Sequence, residues 1–86
     1  MFSIRVTDEA FLQVRRVIQQ FPSRKGEVAQ ALKMIKSKLG SDPLGCSESR
    51  EDQNRICIQQ PLSLFFTVDF EHDVVVITQL FFNPKP

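Results

Sequence analysis

Few side chains in this chain could do chemistry, and several fall in or beside one polar stretch. Residues 41–53 carry Asp42-Pro43, Gly45, Glu48, Arg50, Glu51 and Asp52. A carboxylate can take up a proton, and a guanidinium can grip an oxyanion through paired donors. Glu48 and Arg50 are therefore a candidate base and cation on a mobile loop that orders on binding. A solvated polar loop accounts for the same two residues without chemistry. Arg55 stands just before the next apolar run and suits a phosphate or a surface ion pair with Glu51 or Asp52. Lys33, Lys36 and Lys38 cluster in a second place. They could contact a polyanion in a salt-dependent way, and helix-dipole complementarity and solubility explain them equally. His72, the single histidine, lies between Glu71 and Asp73, where an exposed turn is expected and not the packed surroundings that orient a catalytic imidazole. Cys57 reads as a small buried hydrophobe. Cys46 and Cys57 have no metal-ligand spacing and make a poor disulfide framework, so no metal site is expected.

The charges are unevenly placed. From residue 15 to 38 seven basic residues face one acidic residue, a net of +6; from residue 39 onward three basic residues face seven acidic ones, a net of −4. A basic first part and an acidic second part point to a polyanion or an acidic partner on one side, or simply to solvated faces.

The elements that must position these groups follow from periodicity. Phe2, Ile4 and Val6 alternate with polar residues, as in a half-buried strand. Thr7 then suits a helix N-cap, with Asp8 and Glu9 at the positive end of the dipole. Ala10, Phe11, Val14, Val17, Ile18 and Phe21 make one apolar stripe, which Pro22 stops. Ser23 is placed to cap a second helix with the stripe Val28, Ala31, Leu32, Ile35 and Leu39, and Gly40 is placed to end it. Residues 41–53 read as irregular. Ile56 and Ile58 begin a strand, and Gln59-Gln60-Pro61 connects it to another. In that second strand Leu62, Leu64, Phe66, Val68 and Phe70 share a face. After Glu71-His72-Asp73 the run Val74–Phe82 is apolar at nearly every position, as for a central strand covered on both faces in part.

The length, 86 residues, suits one domain over 1–86 with a frayed tail at 83–86. The expected architecture is α+β in the order β-α-α-β-β-β. It is a twisted, mostly antiparallel sheet with a two-helix hairpin packed on one face. The other face is left partly open, with Phe65, Phe81 and Ile77 as candidates to line it. Phe65, Phe81 and Phe82 are the candidate partner-binding residues. Eight phenylalanines and no tyrosine or tryptophan put the aromatic mass into packing rather than polar contacts. No signal peptide and no apolar run of membrane-spanning length are visible, which suggests a cytoplasmic protein with reduced thiols.

Taken together, these segments resemble the RelE/ParE-type toxins of bacterial type II toxin–antitoxin modules. The resemblance rests on the opening strand into Thr7-Asp8-Glu9-Ala10, the helix pair, and Leu39-Gly40-Ser41-Asp42-Pro43 before a polar loop. It continues with Arg55 at a strand start, Pro61-Leu62, Phe66-Thr67-Val68-Asp69, an acidic turn and Val74-Val75-Val76-Ile77. It implies one of two activities. RelE-like members cut mRNA on the ribosome and so inhibit translation. Here Glu48, Arg50 and Arg55 would be the catalytic set, with Lys33, Lys36 and Lys38 contacting RNA. ParE-like members bind DNA gyrase and need no nuclease groups. Either kind implies an antitoxin partner and neither implies a cofactor. The family's nucleases commonly carry an Arg in the penultimate strand and a His, Tyr or Arg at the end of the last one. The corresponding positions are the neutral Ser63 and the stretch Leu80-Phe81-Phe82-Asn83. A degenerate toxin that only binds a protein partner is the alternative.

Overall fold

A computed structural model describes residues 1–45, 47–49 and 54–83. Cys46, Arg50, Glu51, Asp52, Gln53 and the tail beyond Asn83 lie outside the described residues. The chain runs β1 (Ser3–Val6), α1 (Asp8–Gln20), a 3-10 turn (Pro22–Arg24), α2 (Lys25–Ser41), β2 (Glu48–Ser49), β3 (Arg55–Gln59), β4 (Leu62–Asp69) and β5 (Val74–Phe82). The sheet order is β1-β5-β4-β3-β2. β1 runs parallel to β5, and the other pairs are antiparallel. This is the expected α+β arrangement, with β5 inside the sheet.

Helix α1 forms where Thr7 stays extended (φ −67°, ψ 158°) and its Oγ1 accepts the Ala10 N–H at 3.2 Å. Ala10 is buried, and Val14, Val17 and Ile18 pack beside it against the core. Phe11 departs from the expected stripe: it is 56% exposed. It follows Ala10 by one position, a step of about 100° around the helix, and so leaves the sheet-facing side. Ser23 does not cap α2. The chain enters that helix through the 3-10 turn, with the Lys25 N–H donating to the Pro22 carbonyl, so the first donors are used without a side-chain cap. Val28, Ala31, Ile35 and Leu39 are the buried face of α2. Gly40 does not end it either. No described glycine has positive φ, and the helix continues to Ser41, whose hydroxyl donates to the carbonyls of Ser37 and Lys38. The Gly40 carbonyl instead accepts the Phe2 N–H at 2.9 Å, tying α2 to the start of β1.

The stretch 41–53 is less irregular than its composition suggests. Glu48 and Ser49 pair with Ile56 and Arg55 as a two-residue strand. Two polar residues are too few to show a period of two, so no sequence pattern announces this strand. Phe70, expected to continue the face of β4, instead lies in the turn after it, 58% exposed, with its ring 5.9 Å from Phe2 in an edge-to-face contact. Asp73 takes the left-handed conformation (φ 54°) that closes this turn, which aspartate tolerates better than most side chains.

β5 changes phase partway along. Val75 and Ile77 are buried, and so is Leu80, three positions on; Phe82 packs against the same core. The pairing shows why: Phe66 lies opposite Ile77 but Phe65 lies opposite Gln79, so β5 carries one extra residue at a bulge. β1 ends its pairing opposite Ile77. Beyond that point α1 supplies partners to the edge of β5. Thr7 Oγ1 donates to the Thr78 carbonyl at 3.3 Å, and Gln13 Oε1 accepts the Leu80 N–H at 2.7 Å. The Thr78 hydroxyl donates to the Phe65 carbonyl. Phe66, Ile35, Leu39, Leu62, Leu64, Ile77, Val28 and Val75 form the fully buried centre between helices and sheet. Among the described residues no buried side-chain polar atom lacks a partner. No helix of the described residues is long and apolar enough to cross a membrane.

Thr7 therefore serves both α1 and the bulge. Thr7→Ala is expected to lower stability by about 1–2 kcal/mol, one cap and one hydrogen bond, while Thr7→Ser retains most of it. Urea unfolding with an unchanged slope and a lowered midpoint would show this. Equal midpoints for Thr7→Ala and the parent would refute the double role.

Candidate functional site

The helices cover one face of the sheet, and the other face carries its own apolar patch. Across three strands Ile58 lies opposite Ser63, and Ser63 opposite Phe81; one row away Ile56 lies opposite Phe65. The rings of Phe65 and Phe81 meet edge to face with centroids 5.7 Å apart. Ile58 is 62% exposed and Phe81 40%, whereas Ile56 and Phe65 are half-buried. Ser63 is buried between them, its Oγ accepting the Asn83 Nδ2–H at 2.6 Å. Toward β1 the same face continues through Thr67 and Val76 to Arg5.

Of the residues proposed to meet a partner, Phe65 and Phe81 thus stand together. Phe82 is on the opposite face: its ring lies 5.1 Å from Phe21, with the Arg24 guanidinium carbon 5.9 Å from its centroid. Ile77, a candidate for the open face, is instead 1% exposed within the core. The bulge keeps its side chain on the helix side together with Leu80 and Phe82.

At the β2–β3 end of this face lies a cleft of about 340 Å³, lined among the described residues by Gly45, Ser47, Glu48, Ile56 and Ile58. Arg55 does not line the cleft but holds one residue that does, Ser47. Its Nε donates to Ser47 Oγ at 2.7 Å, and an Nη donates to the carbonyls of Ser47 at 3.1 Å and Leu44 at 3.4 Å. Ser47 Oγ in turn donates to the Pro43 carbonyl at 2.6 Å. Asp42 closes the turn before it, Oδ1 accepting the Gly45 N–H at 3.0 Å. A Cβ on Gly45 would meet the Asp42 carboxylate, so a side chain there would have to displace it from the Gly45 N–H. Ser47 was not legible as a site residue, because its partner Arg55 lies eight positions away across β2.

The structure sets the other candidates apart. Glu48 borders the cleft, on the strand paired with β3; Arg50 lies outside the described residues, as do Glu51 and Asp52, the ion-pair partners considered for Arg55. Lys33, Lys36 and Lys38 are exposed on α2, in the helix layer and not on the open face. Lys38 bridges to β3, its Nζ donating to Gln59 Oε1 at 2.5 Å. His72 is exposed in the β4–β5 turn, Nδ1 2.8 Å from Asp69 Oδ2, and its backbone N–H donates to Asp69 Oδ1 at 3.1 Å. The side-chain hydrogen bond of His72, with its backbone N–H, holds the Asp69 carboxyl below its ordinary value of 3.8. Among the described residues, Asp69, Glu71 and His72 are the ones whose ligand atoms could gather on an ion, all within 4.8 Å of one another, but all three are exposed hairpin residues. Cys57 is buried on the core face.

With this geometry the chain has the RelE/ParE-type toxin fold. It superposes on a chain of the toxin–antitoxin complex RelBE2 from Mycobacterium tuberculosis with a TM-score of 0.78 at 18% identity, over 95% of this chain and 98% of that one. It superposes on a chain of the chromosomal ParDE TA system from P. aeruginosa with a TM-score of 0.75 at 15% identity, over 96% of this chain and 97% of that one. No protein-family model matches the chain, and no curated protein matches it by sequence.

Two outcomes check the site's physics. Arg55→Ala and Ser47→Ala should each cost about 1–2 kcal/mol, and the double variant less than their sum, since both cut one network. Arg55→Lys should recover under half of the loss, lacking the planar fork. Thermal melts read this, about 4–8 °C per kcal/mol for a domain of this size, and strict additivity would mean that the latch is not a unit. A carboxyl with a depressed pKa contributes stability above its unfolded value, and the contribution is lost as pH falls through the folded value. The Asp69 ¹³C carboxyl midpoint should therefore lie below that of an unfolded peptide and return toward it in His72→Ala.

Proposed function

We propose that this chain is the toxin-like component of a bacterial type II toxin–antitoxin module and that it works by binding proteins rather than by cutting RNA. The observation that carries this reading is the apolar open face, where Ile56, Ile58, Phe65 and Phe81 surround a neutral Ser63. Cleavage of RNA by the 2′-hydroxyl requires a base, an acid and cations gathered at one phosphate. Here Arg55 is engaged by three acceptors of its own loop, and the α2 lysines stand in the other layer. A face of this kind suits a protein segment, in the first place an antitoxin. The cellular target of the binding mode is a cytoplasmic machine such as DNA gyrase.

A second reading keeps one specific support. Glu48 and Ser49 pair with Ile56 and Arg55, so a carboxylate and a guanidinium stand on neighbouring strands. With Arg50 they would form a reduced interferase set acting on mRNA at the ribosome, with Lys33, Lys36 and Lys38 meeting RNA.

The test has two arms. The chain is expressed alone and together with the product of the short reading frame beside its gene, and growth and co-purification are measured. Growth arrest relieved by the neighbour, with the two proteins purifying together, is the expected result. Unaltered growth without co-purification would overturn the module. In the second arm, primer extension is run on mRNA in a purified translation system. No ribosome-dependent cuts are expected, and cuts that vanish in Arg50→Ala/Arg55→Ala would replace the binding mode with the interferase.

A further inference from the structure

We propose that the cleft beside β2 is an anchor site for one lysine or arginine side chain, carried on a segment of the protein partner that covers the open face. The proposal rests on the reading of that face as partner-binding and adds the chemistry its occupant must have. The cleft has two unlike walls. Ile56 and Ile58 are the aliphatic part of its lining, with Ile58 largely exposed, and Glu48 is its charged part, beside Gly45 and Ser47. A long cationic side chain has the same division, an apolar stem and a charged head. Its stem covers the isoleucines while its head reaches Glu48. A carboxylate has about four lone-pair sites, so Glu48 accepts this donor in addition to its other contacts.

Three further observations favour this occupant. The volume, about 340 Å³, is near the small end of the ~300–1,000 Å³ typical of ligand pockets and suits a side chain better than a cofactor. The charge of the described residues around the cleft is negative: Asp42 and Glu48 stand against Arg55, a net of −1, and Arg55 is occupied by acceptors of its own loop. That charge repels a phosphate and attracts a cation. Finally, the cleft continues into the row Ile58, Ser63 and Phe81 with Phe65 alongside. Apolar side chains flanking the cation would cover these groups in the same docking event. The latch between Arg55 and Ser47 fixes the wall, so the cleft exists before anything enters it.

The probe is the peptide acetyl-Leu-Ser-Arg-Ser-Leu-amide, with a control in which neutral citrulline replaces arginine. The protein is labelled at its isoleucine methyls, so that Ile56 and Ile58 report on the cleft while Ile4, Ile35 and Ile77 report on the fold. The Arg peptide should shift the Ile56 and Ile58 methyls and bind about five- to tenfold more tightly than the citrulline peptide. Glu48→Gln should remove that difference, and Glu9→Gln, on α1, should leave it intact. Equal binding of the two peptides would overturn the proposal. So would shifts confined to other methyls, or no shift at Ile56 and Ile58 up to about 10 mM peptide. These outcomes stand apart from the co-purification arm above: a partner that co-purifies while the peptide arm fails removes the anchor and leaves the module.

Discussion

The structure depends on how β5 satisfies its backbone past the end of β1. β5 is hydrogen-bonded on both sides as far as Ile77, where β1 stops. From Thr78 onward its β1-side groups would meet neither strand nor, under α1, much water, and an unpaired buried peptide group costs about 1–3 kcal/mol. Thr7 supplies a donor to the Thr78 carbonyl and Gln13 an acceptor to the Leu80 N–H. The first helix is thereby fixed to the sheet at its N-cap and again a turn and a half later. The bulge at the same place shifts the alternation by one, so that Val75, Ile77, Leu80 and Phe82 all reach the helix layer. Without the shift Leu80 and Phe82 would point away from the core, and Phe81 would point into it.

The open face is a consequence of that shift. Phe81 emerges beside Phe65 only because the phase of β5 has changed, and the two rings then sit next to Ile58 and Ile56 of the outer strand. The layers also divide the charge. The basic residues between 15 and 38 belong to the helix segment, and the acidic excess belongs to the strand half.

How much of this could be read from residue order varies with the length over which each signal is spread. The helices and the three long strands were legible because their periodicity runs over many residues, and Thr7 because a capping hydroxyl next to Asp8-Glu9 is a local pattern. β2 was not, since two polar residues carry no period. The expected caps Ser23 and Gly40 failed for one reason. A 3-10 turn and the Ser41 hydroxyl satisfied the same orphan groups by other routes, and sequence shows only the candidates, not which one is used. Ile77 was misplaced because an apolar run such as Val74–Phe82 hides its bulge; Thr78 and Gln79, the two polar residues inside it, mark where the phase changes. On the site, Phe65 and Phe81 could be grouped from alternation alone, whereas the latch of Arg55 on Ser47 and Leu44, with Ser47 in turn donating to Pro43, depends on a loop path that no local pattern encodes.

Arg55 bears on the choice between the two readings proposed above, because fold alone does not select one. For Arg55 to bind a substrate phosphate through Nε and the same Nη, it must leave Ser47 Oγ and two carbonyls. Hydrogen bonds to a charged group contribute about 1.5–3 kcal/mol each, and the abandoned acceptors would then need water. A phosphate would have to offset that loss before contributing anything to a reaction. At the same edge it would meet Glu48. The remaining Nη of Arg55 can donate outward without breaking the latch, but a single Nη gives neither the paired grip of the full fork nor a second cation. A protein segment meets none of these costs. It leaves the latch closed and uses the wall that the latch builds, and its apolar side chains find Ile58, Phe65 and Phe81 already in place. The cost of opening the latch is thus an energetic argument for the proposed binding mode that does not draw on the resemblance in fold.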